Sequence, residues 1–115
     1  MQRTTKFNRG DVALVNFVYT EGTQVRRRPV VLISSEHYQQ ARQEVVVAAV
    51  TSNVDRLLAG DHQIVEWQAA GLLFPSVATG IILTIKQSML VRRLGSLTPL
   101  DMAGVEASLR ITLRL

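Results

Sequence analysis

Apolar residues along this chain fall into short runs broken by polar, turn-forming segments, a pattern of many short strands rather than of long helices. The first run, Val12-Ala13-Leu14-Val15-Asn16-Phe17, follows Gly10-Asp11 and gives way to the turn chemistry of Thr20-Glu21-Gly22-Thr23. The second, Val30-Val31-Leu32-Ile33, is dominated by β-branched residues and suits a buried strand. The polar stretch from Ser34 to Glu44 reads as a loop or short helix, and Val45 to Val50 writes a third strand closed by Thr51-Ser52-Asn53. A loop runs on through Gly60. Weaker strand signals follow over Asp61 to Glu66 and Val77 to Ile85, and a last strand begins at Met89-Leu90-Val91 and ends at Gly95. This spacing predicts a small β-barrel. The texture then changes: Thr98-Pro99-Leu100-Asp101 places a capping hydroxyl, a proline at the first helical position and a carboxylate three residues after the cap. Leu100, Ala103, Val105, Leu109 and Leu113 are expected to form the apolar face of a terminal helix. With no repeat, low-complexity tract or linker, residues 1–115 are expected to form one domain.

Charge narrows the function. Thirteen basic residues against nine acidic give a formal net charge of +4, and all the basic residues but Lys6 and Lys86 are arginine. Arginine offers a planar donor fork that grips phosphate through two parallel bonds, so the bias favours an anionic partner. The absence of cysteine removes disulfides and thiolate zinc sites, and His37 and His62 are too few and too separated to build a metal site. No metal and no cofactor are expected. The N-terminal segment is polar, and no stretch approaches the roughly 20 apolar residues of a membrane span, so a cytoplasmic location is expected.

Candidate chemistry comes from the strand reading. Arg28 stands at the start of the second strand and Thr51 at the end of the third. If segments 28–34 and 45–51 pair antiparallel, equal length keeps them in register and sets the two residues opposite each other. Pro29 also holds the Arg28 backbone extended. A guanidinium and a hydroxyl converging on one pocket suit RNA cleavage through the neighbouring 2′-hydroxyl. There the protein must hold the phosphate and offset charge growing on its oxygens. The same residues fit a plainer reading, with Arg26-Arg27-Arg28 a solvated strand edge and Thr51-Ser52-Asn53 a turn. Trp67, the one tryptophan, is expected to anchor the core or a subunit contact. Arg92 and Arg93 are consecutive strand residues pointing to opposite faces, so at most one can join an RNA groove.

Taken in order, these segments resemble the MazF/PemK family of toxin endoribonucleases. The resemblance rests on Arg9-Gly10-Asp11-Val12, Arg27-Arg28-Pro29 with its apolar run and Ser34, Ala49-Val50-Thr51-Ser52, Ala70-Gly71-Leu72, Pro75-Ser76-Val77, and Val91-Arg92-Arg93-Leu94-Gly95. It implies a mainly β fold, an SH3-like barrel with a C-terminal helix, assembled as a homodimer. It implies a metal-independent nuclease for single-stranded RNA, leaving 2′,3′-cyclic phosphate and 5′-hydroxyl ends. Arg28 and Thr51 take the catalytic positions, and Arg26, Arg27, Ser52 and Thr79 are expected to contact RNA. The loop from Tyr19 to Arg27 would cover or release the strand, and an antitoxin with an acidic tail would occupy the groove. Where many family members carry polar residues, this chain has Gly80, Ile81 and Leu83, which fit a buried or subunit-facing strand. Two other readings are a gyrase-inhibiting toxin of similar fold, whose Trp-Gly-Ile ending is absent from Ile111-Thr112-Leu113-Arg114-Leu115, and an inactive RNA-binding relative.

Overall fold

The computed structural model describes residues 6–18 and 25–115. The apolar runs become strands: β1 (Asp11–Val18), β2 (Val25–Leu32) and β3 (Glu44–Thr51) form an antiparallel meander, with α1 (Glu36–Ala41) in the polar stretch between β2 and β3. Beyond it lie β4 (His62–Gln63), β5 (Val77–Lys86), a 3-10 turn (Gln87–Met89), β6 (Leu90–Ser96) and α2 (Pro99–Leu113). All six strands belong to one antiparallel sheet in the order β4-β5-β3-β2-β1-β6. The expected loop from Tyr19 to Arg27 falls largely outside the described residues, and β2 begins inside it at Val25.

Alternation along the central strands gives the sheet two buried faces. Val12, Val31 and Val50 join Ile64, Ala70, Leu72 and Val105 in one core, against which Trp67 packs. Ala13, Val15, Val30, Leu32, Val45 and Val47 form the other, with Phe7, Phe17, Leu83 and Met89 around it. The sheet does not close into the expected barrel, since β4 and β6 remain its two edges. β4 has only two residues, and the way to β6 is filled by the turn at Gly71, which lies against the Leu94 backbone. Asp11 ties the edge strand to its neighbour: its carboxylate accepts from the Asn8 amide (2.8 Å) and the Ser96 hydroxyl (2.6 Å), with Arg93 at 3.5 Å.

Helix α2 starts where its cap predicts, with the Thr98 hydroxyl accepting from the Asp101 amide at 3.3 Å. Its buried face differs from the expected one. Leu100 is 61% exposed, Ala103 and Leu113 are also exposed, and only Val105 and the half-buried Leu109 of that set reach the core. The side turned inward instead carries Asp101, Gly104, Val105 and Ser108. Asp101 is fully buried, and its oxygens accept from the Val65 amide (2.8 Å), the Glu66 amide (2.8 Å) and the His62 ring (2.9 Å). Burial pushes this carboxyl up, but the two amides and His62 together outweigh it and hold it below the usual range.

Gly104 makes this docking possible, because a Cβ there would overlap the His62 ring. The ring cannot swing away without leaving Asp101. Gly104→Ala is therefore expected to destabilise by roughly 1–2 kcal/mol, the strain of overpacking exceeding alanine's helix preference. A lower midpoint in urea unfolding would show it; an unchanged or higher midpoint would mean that His62 relocates freely.

Candidate nucleic-acid interface

The β2–β3 ladder pairs Val30 with Ala49, Val31 with Ala48 and Leu32 with Val47. Two steps further along the same register lie Arg28 and Thr51, and both line one cavity of about 330 Å³. Arg28 is held on its other side by pairing with Val15 of β1. The rest of the lining has three sources. Leu14 and Pro29 form the strand floor; Arg92 and Leu94 come from β6; Leu72, Leu73 and Phe74 come from the segment following Gly71.

The electrostatics of the cavity are one-sided. Among the described residues its lining has two arginines and no aspartate or glutamate, and neither guanidinium is ion-paired. Arg93, one residue on, has its charge committed to Asp11. The strand alternation thus leaves Arg92 to the cavity and turns Arg93 away from it. Thr51 is half-buried, and its Oγ1 accepts from the Asn53 amide at 3.1 Å. That bond fixes the oxygen while leaving the hydroxyl proton available to donate into the cavity. The set can bind a phosphate bidentately and offset charge that develops on its oxygens. Among the described residues no cluster of three or more histidine, aspartate or glutamate side chains is assembled.

The other sequence candidates separate in space. Ser52 lines the cavity with Thr51, whereas Arg26 and Arg27 are exposed farther along β2, opposite Phe17 and Asn16. Thr79 lies in a second cavity of about 360 Å³, which shares Thr51 with the first and adds Asn53, Arg56 and Asp61. Its hydroxyl donates to the Ala49 carbonyl at 2.6 Å and accepts from the Ile81 amide at 3.2 Å, so its proton is already committed within the sheet. Ile81 is 59% exposed in the single chain and lines this second cavity, so of the two alternatives expected there burial applies to Leu83, which packs on the core, and not to Ile81. Gly80 has a local cause. Its amide donates to Asp61 at 2.9 Å, and the Ala59–Gly60 backbone crosses so close that a side chain would press on it.

Sequence reading missed Phe74 and Arg56. The run Leu72-Leu73-Phe74 has the hydropathy of a core segment, and nothing in it separates the buried Leu72 from its exposed neighbours. Arg56 lies in a loop without periodicity. The one available signal was Pro75, which marks a turn and a change of chain direction after Phe74.

An open antiparallel sheet with a C-terminal helix, bearing a pocket whose two arginines have no ion pair among the described residues and whose hydroxyl is fixed, defines a small β protein with the donor set of an anion site. Comparison with known proteins makes the class specific: residues 8–113 match the family model of PemK-like, MazF-like toxins of type II toxin–antitoxin systems. The chain belongs to that family. Its fold is shared with a mycobacterial endoribonuclease solved with its cognate antitoxin (TM-score 0.78, 21% identity, 96% of this chain and 97% of that one). It is shared also with MazF in the MazE-MazF complex of Deinococcus radiodurans (0.78, 18%, 94% and 96%) and with the Mycobacterium tuberculosis toxin MazF-mt6 (0.74, 23%, 91% and 97%). No match to a curated protein was found.

Proposed function

We propose that this protein is a metal-independent endoribonuclease that cuts single-stranded RNA, the toxin partner of an antitoxin. The observation that carries the reading is the meeting of Arg28, Arg92 and the free Thr51 proton in one pocket that, among the described residues, no carboxylate lines. In the proposed reaction the 2′-oxygen attacks the adjacent phosphorus and loses its proton. The bond from phosphorus to the 5′-oxygen breaks, and that oxygen gains a proton, giving a 2′,3′-cyclic phosphate and a 5′-hydroxyl. Arg28 holds the phosphate and offsets the added negative charge, Arg92 reinforces it, and Thr51 donates to a non-bridging oxygen. Ser52 contacts the strand beside the cut, and Arg26, Arg27 and Thr79 contact it farther along its path.

The cellular setting follows from the same reading. The protein works in the cytoplasm as a single-domain chain that forms a homodimer. An antitoxin with an acidic tail occupies the arginine-lined pocket and blocks RNA, as expected when a disordered acidic segment folds onto a basic groove. No helix among the described residues is long and apolar enough to cross a membrane.

The test is incubation of the purified protein with long single-stranded RNA in EDTA, followed by mapping of cut positions and end chemistry. Discrete cuts with cyclic phosphate ends are expected. Intact RNA across several sequences would reject the nuclease; inhibition of DNA relaxation would then favour a gyrase-directed toxin, and RNA binding alone an inactive relative.

A further inference from the structure

Among the described residues the exposed apolar side chains include the end of α2, Leu57-Leu58, Val65, Ile81 in the second cavity, and, last, the Leu73-Phe74 corner of the first. Only the last combines an exposed aromatic ring with the arginines and the Thr51 hydroxyl. We propose that Phe74 is a stacking platform for one nucleobase next to the scissile phosphate, and so a specificity-determining residue. This rests on the nuclease reading above and extends it from the phosphate to the base.

The segment presenting Phe74 is held by the fold on both sides. Its entry is fixed by the Gly71 amide donating to Gln68 (3.0 Å) and the Leu72 amide donating to Trp67 (3.0 Å). Its exit is fixed by the buried Ser76, whose hydroxyl donates to the Phe74 carbonyl at 2.7 Å and whose own carbonyl accepts from Ile64 at 2.9 Å. Pro75 restricts the Phe74 backbone further. Leu73 and Phe74 are nevertheless 82% and 63% exposed. A backbone anchored this firmly, presenting an aromatic ring to water, holds the ring's attachment point preorganised for a ligand.

The cavity itself selects the ligand. Its arginines and Thr51 hydroxyl suit a phosphate and its Leu72, Leu73 and Phe74 side chains a flat uncharged group, and a nucleotide unit joins those two. At about 330 Å³ it lies at the small end of the usual 300–1,000 Å³ for ligand sites, room for one base rather than two. Single-stranded RNA is generally read through bases splayed onto aromatic rings in this way. Thr51 belongs to both cavities, so a strand whose phosphate sits on that residue leads onward toward Arg56.

The test pairs binding with cleavage. Fluorescein-labelled 2′-O-methyl oligonucleotides, which lack the attacking hydroxyl, are titrated against the wild type, Phe74→Ala and Phe74→Tyr, while cut sites are mapped on a randomised RNA. Phe74→Ala should weaken binding roughly 5- to 100-fold, with the salt dependence unchanged and the base preference at one position beside the cut flattened. Phe74→Tyr should retain both, and the unfolding midpoint of each variant should match the wild type because the ring is exposed. If the wild type cuts RNA and Phe74→Ala keeps its affinity and base preference, the platform is wrong and the nuclease stands. If binding depends on Phe74 but nothing is cut, the nuclease reading fails and the base site stands. A change in solution mass on substituting Phe74, with RNA affinity intact, would make this corner a protein contact and overturn the proposal.

Discussion

Arg28→Ala is expected to lower kcat/KM for RNA cleavage by about 100- to 1,000-fold, the usual cost of removing one preorganised donor to a developing oxyanion. Its unfolding free energy should stay within about 0.5 kcal/mol of the wild type, since the side chain is exposed and outside both cores. Arg28→Lys should recover little, because a point charge does not replace the two-pronged fork. Thr51→Val should have a smaller but related effect, for it removes both the donated proton and the oxygen that accepts from Asn53. Single-turnover rates at saturating enzyme separate loss of chemistry from loss of binding. Normal single-turnover cleavage by Arg28→Ala would remove that residue from the reaction.

Asp101→Ala should be the most damaging single change to stability. It strips the acceptor from the amides of Val65 and Glu66 and from the His62 ring at once. Each of the three donors left unpaired costs about 1–3 kcal/mol, so a total loss of roughly 3–9 kcal/mol is expected in urea unfolding at neutral pH. The pH dependence has a definite sign. A carboxyl whose folded pKa lies below its ordinary value of 3.8 stabilises the fold fully above that value, and the contribution is lost as pH falls through the folded pKa. The wild type should therefore lose stability in acid by more than Asp101→Asn does. Parallel curves for the two proteins below pH 4 would mean that the carboxylate charge contributes nothing.

The strands were legible where residues face a core on both sides of the sheet. Val30 to Leu32 and Val45 to Val50 are β-branched or small almost throughout, and that density identifies a buried strand without help from tertiary context. Equal segment length then fixed the register that sets Arg28 across from Thr51. The inward side of α2 was not legible, because a hydropathy pattern counts Asp101 and Gly104 as solvent-facing. One is buried by hydrogen bonds from a distant turn, and the other is inward because a histidine ring needs its space. Phe74 was hidden for the opposite reason, an apolar residue that the fold leaves outside. Both misreadings come from contacts between segments far apart in the chain, which local periodicity does not encode.

The anchoring of residues 71–76 has a consequence for how such a protein can diversify. In the proposed reaction Arg28 and Thr51 touch the scissile phosphate itself, whereas Leu73 and Phe74 project from a corner whose ends are tied down by backbone bonds. Side chains at that corner can be exchanged with little penalty to folding. Recognition and chemistry are thereby separately mutable, and a lineage can change the RNA word it cuts by drifting at two surface positions while its reaction machinery stays under unbroken selection.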